Sequence, residues 1–328
     1  FNKFIGEVIG SDSIDTLDGE SYRIITEGIR QFQDNGRGLD IECPIEDILE
    51  ADCIIVVGAD PEKTNPIIST LVRRAVSQRK AKLIVVNSSR DVFPLRTDLW
   101  LKPRAGSEGD LLGGLARILI DKGLVVSGKA SARLIKSFSR YGIGEVVRTT
   151  GIEEERLGLL AEMYGQAERG VIIYGEELLR TNGASPITTI LNLANMTGNR
   201  VGDRLRVISL KPRANSRGAW EMGLARGIKQ GKPKGLYLLL ADEPDSEELL
   251  SWLKGIDFLV VQASYQSPIT SMADVVLPSP IWAEREGKYV TMDGRVLELK
   301  RVLQPQDGLP QDREVLIEIS QRLGRKLT

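Results

Sequence analysis

The stretch Ala273-Asp-Val-Val-Leu-Pro-Ser-Pro-Ile-Trp-Ala-Glu-Arg-Glu-Gly-Lys-Tyr-Val-Thr-Met-Asp-Gly-Arg-Val296 decides how this chain is read. An apolar run, Val275, Val276 and Leu277, reads as the end of a buried strand. It enters a Pro-bounded turn, then an acidic-Gly loop at Glu284 to Gly287, then a Gly turn at Asp293-Gly294. Repeated reversals around one spot mark a site or a domain seam.

Outward from this segment, short β-branched runs alternate with helical patterns. Ala51-Asp-Cys-Ile-Ile-Val-Val-Gly58, a helix over about 66–78 and Lys82-Leu-Ile-Val-Val-Asn87 open the series. Leu99 to Lys102, helices over 109–122 and 153–168, and Gly170-Val-Ile-Ile-Tyr174 continue it. Such runs between amphipathic helices predict parallel strands covered on both faces. A second set follows Lys234, with strands at 235–241, 258–262 and 273–277. Each set holds a strand, an acidic-Pro loop and a helix, Gly58-Ala-Asp-Pro61 in one and Ala241-Asp-Glu-Pro244 in the other. A loose internal duplication is the expectation. The charged stretch 204–234 between them shows no long periodic run and reads as a crossover. Phe1, Phe4, Ile5 and Val8 share one helical face at the start, so the chain reads as a fragment or a processed product.

The 328 residues, 41% of them hydrophobic, favour two domains. A formal charge of −1 supplies no basic field for nucleic acid or anionic lipid. The absence of histidine removes Ser-His-Asp and Cys-His chemistry and His-ligated metals. Cys43 and Cys53 are the only cysteines, too few for an iron–sulfur cluster of four thiolates. A disulfide between them is open, but Cys53 lies inside a strand run, where free cysteine fills buried space. No apolar run reaches the roughly 18 residues of a membrane span, so no direct membrane insertion is expected.

The quoted stretch resembles the ADVVLP…E-x-E-G-x-Y/F-x-N-x-x-G-R segment of the molybdopterin oxidoreductase superfamily, which includes formate dehydrogenases, nitrate reductases and the large iron–sulfur subunit of NADH-quinone oxidoreductase (complex I). The resemblance implies an α/β fold of two Rossmann-like doubly wound domains facing each other, domains II and III of that superfamily. It also implies that the first is inserted into the second, as 17–213 within 1–16 plus 214–328. Enzymes of the family bind two pterin dinucleotides, one per domain.

Gly58-Ala-Asp-Pro-Glu-Lys-Thr-Asn-Pro66 joins a strand to a helix, where open sheets bind ligands; its bland reading is a plain turn. It resembles the family's dinucleotide loop, which implies cofactor contacts from Gly58, Asp60 and Asn65. Asn87-Ser-Ser-Arg90 stands where relatives have D-P-R, so Asn87 and Arg90 fall at a nucleotide position with Asp replaced by an amide. Arg104-Ala-Gly-Ser-Glu-Gly-Asp110 resembles R-x-G-T/S-D, bringing in Gly106, Ser107 and Asp110, with one extra residue before the acid.

The metal position departs further. Ile14-Asp15 resembles the formate dehydrogenase V/I-D that precedes the ligating Cys or selenocysteine, and Ser21 or Tyr22 falls at the ligand. Lys211, or Arg213 nearby, falls at the arginine that assists formate. Asn215-Ser-Arg-Gly-Ala-Trp-Glu-Met-Gly223 looks like the N-S-x-G-A-x-x-x-G pattern of the large complex I subunit, whose corresponding domain carries no metal. The basic run Arg200, Arg204, Arg206, Lys211, Arg213 and Arg217 could neutralise dinucleotide phosphates, pair with acidic surface, or stay solvated.

The resemblance implies a non-catalytic structural region of the large iron–sulfur subunit of an NADH-quinone oxidoreductase, with Ser21, Lys211 and Arg213 as vestiges. The expectation is no catalytic residue, no metal and no cofactor on this chain, with molybdopterin guanine dinucleotide as the vestigial or actual alternative. Iron–sulfur clusters are expected only upstream. The partners expected are other subunits of a respiratory or electron-transfer complex, and the location is cytoplasmic, peripheral to the inner membrane face through them. The alternative is a catalytic formate-dehydrogenase-like fragment binding molybdenum or tungsten on two pterin guanine dinucleotides.

Overall fold

A computed structural model of the chain describes residues 1–32, 38–88, 97–182, 185–211, 213–228, 232–306 and 308–327. Among them the chain divides into a smaller compact unit, Phe1–Gly19 with Gly218–Val290 and Val296–Thr328, and a larger one, Glu20–Arg217 with Thr291–Arg295.

The larger unit is built on five strands, β1 (Cys53–Val57), β2 (Lys82–Val86), β3 (Leu99–Leu101), β4 (Gly170–Tyr174) and β5 (Val207–Ser209), ordered β3-β2-β1-β4-β5. Every neighbouring pair is parallel. The β-branched residues of β1 and β4 are buried throughout, as a sheet covered on both faces requires. One face, through Ile54, Val56, Leu83, Val85, Val171 and Ile173, packs on Ile68, Val72 and Ala75 of helix Pro66–Arg79. Strand order reverses between β1 and β4. That is the topological switch point, at whose carboxyl ends open α/β sheets hold ligands.

The smaller unit repeats the scheme with three parallel strands, β6 (Gly235–Ala241), β7 (Phe258–Ala263) and β8 (Val275–Pro278), ordered β8-β7-β6. Leu240, Leu253, Leu259, Val261, Ala263 and Ile269 form its core. A second cluster gathers Phe4, Val8 and Leu316 with Tyr237. An antiparallel pair, β9 (Gly287–Val290) with β10 (Val296–Leu299), completes it.

Two expectations need correction. The run Val275 to Leu277 forms a strand but not a buried one: Val275 is 38% and Val276 49% exposed. With only three strands β8 is an edge, so its apolar side chains lack a covering layer. The stretch 204–234, read as a crossover, contains β5 and a short helix, Ser216–Glu221. Three residues of β structure are too few to raise a periodic signal amid charge. Cys43 and Cys53 are both buried free thiols, in line with the reading of Cys53 as filling space inside a strand.

Candidate functional site

At the switch point the chain folds tightly. Gly58 N–H donates to Val86 O, extending β1 to a residue with φ of +53°. A Cβ there would lie 2.8 Å from the Leu178 backbone nitrogen, so glycine is demanded by space and by backbone angle. After β4, a Cβ on Gly175 would lie 2.8 Å from Gly58 O and 2.7 Å from Ala59 Cβ. The loops after β1 and β4 therefore touch backbone to backbone.

Several of the polar groups assigned to cofactor binding are engaged within the fold, although both Asp60 carboxylate oxygens are buried without a hydrogen bond. Asp60 precedes the short helix Pro61–Thr64 and pairs with Lys63 at 3.1 Å. Asn65 Nδ2 donates to Lys211 O at 3.2 Å, and its Oδ1 accepts from Thr64 Oγ1 at 2.8 Å. Asn87, 1% exposed, donates from Nδ2 to Glu177 Oε2 at 3.1 Å and to Ala59 O at 3.4 Å. Gly106 has φ of +84°, and Ser107 Oγ turns back to donate to Arg104 O at 2.6 Å. Asp110 sits in the first turn of helix Glu108–Asp121. Arg90 lies outside the described residues. Gly58, Asp60, Asn65 and Asn87 thus share the carboxyl ends of β1 and β2, and Gly106 to Asp110 follow β3.

Carboxylates also line these strand ends. Burial holds the Glu108 carboxyl above its ordinary value, with the Glu177 charge adding to the rise against backbone N–H groups that lower it. Ser21, on helix Gly19–Phe32, donates its hydroxyl to Glu176 Oε1 at 3.1 Å. Tyr22, the alternative at that position, is a core residue, 1% exposed.

Sequence reasoning missed a buried cluster at the end of β5. Lys211, 3% exposed, donates from Nζ to Glu42 Oε2 at 2.7 Å and to Ser209 Oγ, and Ser209 donates to Glu42 Oε1 at 2.5 Å. Burial pulls the Lys211 ammonium below the usual lysine value while Glu42 pushes it back up. Tyr174, at the end of β4, is held well above the ordinary phenol value by burial first and the Glu42 charge second. Arg206 pairs with Asp47 at 3.0 Å and Arg217 with Asp40 at 2.6 Å. These members of the basic run therefore pair with acidic residues of the 40–47 segment. Arg213 begins a turn in which its N–H donates to Ser216 Oγ at 3.1 Å.

In the smaller unit, Glu284 Oε2 accepts from Ile281 N–H at 3.0 Å. Glu286 is 68% exposed on its side chain and 3.9 Å from Arg301. The residue between them, Arg285, is the one built into the fold.

The family profile described as molybdopterin oxidoreductase matches residues 11–322. The chain belongs to the molybdopterin oxidoreductase family. It is 25% identical over 327 residues to the F420-dependent formate dehydrogenase subunit alpha of Methanocaldococcus jannaschii, covering 85% of this chain and 48% of that protein. It is 26% identical over 368 residues to the NADPH-Fe(3+) oxidoreductase subunit alpha of Geobacter sulfurreducens, covering 98% and 43%. The chain therefore spans less than half the length of these relatives. Among solved structures, acetylene hydratase from Pelobacter acetylenicus matches with a TM-score of 0.65 at 16% identity, over 85% of this chain and 50% of that one. A chain of the formyltransferase/hydrolase complex from Methylorubrum extorquens matches with a TM-score of 0.60 at 16% identity, over 95% and 84%. Both likenesses show the fold.

The group this family implies is a metal carried on pterin dinucleotides. A serine hydroxyl donating to a carboxylate keeps its proton, and the adjacent negative charge opposes the alkoxide that a metal would need. Glu108 and Glu177 oppose a pyrophosphate at the same strand ends. The described residues do not fit the group. No helix among them is long and apolar enough to cross a membrane.

Proposed function

We propose that this chain is a non-catalytic molybdopterin-oxidoreductase-like region of the large iron–sulfur subunit of a multisubunit electron-transfer complex. Its role is to scaffold neighbouring subunits while electrons pass elsewhere. The observation that carries this reading is the Ser21 hydroxyl committed to Glu176 where the family places its metal ligand. The buried Lys211–Glu42 pair adds support, since it fixes the residue at the assisting-arginine position inside the core.

The finer assignment to an NADH-quinone oxidoreductase rests on the resemblance of 215–223 to the complex I pattern. Under it, the clusters belong to other segments of the complex, and the complex sits at the cytoplasmic membrane face through its partner subunits. The larger unit is read as an insert in the smaller, and the pterin-site residues as vestiges. A second reading, a formate-dehydrogenase-like catalytic region with Ser21 as ligand, is favoured by the formate dehydrogenase alpha subunit among the relatives.

Substitution Ser21→Ala in the assembled parent complex tests the choice. Scaffolding predicts unchanged turnover with NADH and no formate oxidation before or after the change, whereas a metal ligand predicts formate oxidation that is lost with assembly intact.

A further inference from the structure

Each of the three parallel strands of the smaller unit ends beside one guanidinium. Asp242 follows β6, and its Oδ2 lies 3.6 Å from Arg285 Nη1. Ser264 follows β7 and accepts from Arg285 Nη2 at 3.3 Å. Ser279 follows β8 and accepts from the same nitrogen at 3.0 Å, as does Pro280 O. Asp312, first residue of helix Asp312–Arg322, closes the remaining side, with Oδ2 3.4 Å from Nε.

The surroundings of this guanidinium are themselves fixed. Asp312 Oδ1 accepts from Ser279 Oγ and, at 2.9 Å, from Gln262 Nε2. Gln262, fully buried, accepts in turn from the Tyr237 hydroxyl at 2.6 Å. Ala241 holds φ of +54°, a left-handed angle uncommon for a residue with a side chain, and this turn delivers Asp242. The carboxyl ends of parallel strands are where open α/β sheets take ligands. Two carboxylates on separate edges with hydroxyls and a carbonyl on a third suit a planar fork of five donors and suit an ammonium poorly.

We propose that Arg285 is a built-in plug, seated in a guanidinium receptor at the ligand crevice of the smaller unit. The plug fits imperfectly: Asp242 Oδ1 and Arg285 Nε both stay buried with no hydrogen bond, so a small untethered occupant free to reorient would satisfy an acceptor that the tethered Arg285 leaves out. The side chain remains 18% exposed, which leaves solvent a route to it. Vacated, the receptor takes a small planar cation bearing several N–H donors. Seated, Arg285 ties the three strand ends together and closes the crevice.

The test uses the full chain with Arg285→Ala, probed by guanidinium chloride at low millimolar concentration against sodium chloride of equal ionic strength. Amide hydrogen exchange should accelerate in the variant across 242–246, 264–267 and 279–281. Guanidinium should restore both that protection and the melting temperature, sodium should restore neither, and the wild type should respond to neither. If Arg285→Ala does not fold, Arg285→Lys carries the test. Its single ammonium cannot reach all three strand ends, so the same segments should exchange faster than in the wild type. Unchanged exchange in a folded variant, or guanidinium restoring no more than sodium, would overturn the proposal.

Discussion

The two units solve the same turn with different residues. Before the third strand of each, an aspartate braces the second strand: Asp98 Oδ2 accepts from Leu83 N–H at 2.9 Å and Asp274 Oδ2 from Leu259 N–H at 2.7 Å, with the same 15-residue separation. Where the first strand of each ends, the chain turns through one left-handed residue, Gly58 at +53° and Ala241 at +54°. The backbone scheme is repeated while its chemistry has diverged. In the larger unit a Cβ would strike Leu178, so only glycine serves; Ala241 carries its Cβ at the cost of strain. The larger crevice is closed by backbone contact beside a buried ion pair, the smaller by a partly exposed arginine. A shared turn therefore does not imply a shared ligand.

The largest expected difference between the units is alkaline sensitivity. Burial, the main cause, pushes Cys53 up to about 12 and Cys43 higher still, from an ordinary 9.0. Such thiols stay protonated in the fold while those of the unfolded chain ionise, so the folded state binds more protons and stability falls as pH rises above 9. Each contributes about 1.4 kcal/mol per pH unit until its folded pKa is reached. Tyr174 acts with the same sign above its ordinary 10.0, as does Tyr237 of the smaller unit, raised to about 12. Hydrogen exchange against pH should show the larger unit loosening first.

Next comes Lys211→Met, which strands Glu42 in the core and should cost about 3–5 kcal/mol in denaturant unfolding. The paired turns separate more finely. Gly58→Ala adds left-handed strain to a backbone clash and should cost about 2–3 kcal/mol. Ala241→Gly relieves strain and loosens the unfolded chain, leaving a change within about 1 kcal/mol. Equal losses from the two would mean that the turns are not differently constrained. Asp98→Asn and Asp274→Asn should each cost about 1 kcal/mol, and unequal costs would weaken the repeat.

Much of this architecture was legible because β1, β2, β4, β6 and β7 are continuous apolar runs flanked by turn residues. The bracing aspartates, Asp98 and Asp274, were not singled out, since their bonds to Leu83 and Leu259 reach back 15 residues. Burial of β8 was not legible either, since an apolar run reads alike at a sheet centre and at an edge. The positions of Gly58, Asp60, Asn65 and Asn87 followed from their place after strands. Glu42 and Lys211 lie 169 residues apart, and no local pattern announces that pairing. Arg285 carried no local signal inside the acidic-Gly loop, because the three strand ends it joins lie far from it in sequence.

The most direct test of the metal-free reading is elemental analysis of the purified full chain for molybdenum and tungsten, after dialysis against chelator and alongside a formate oxidation assay. The account predicts metal far below one atom per chain and no formate oxidation. About one molybdenum or tungsten per chain, retained through chelation, would contradict it.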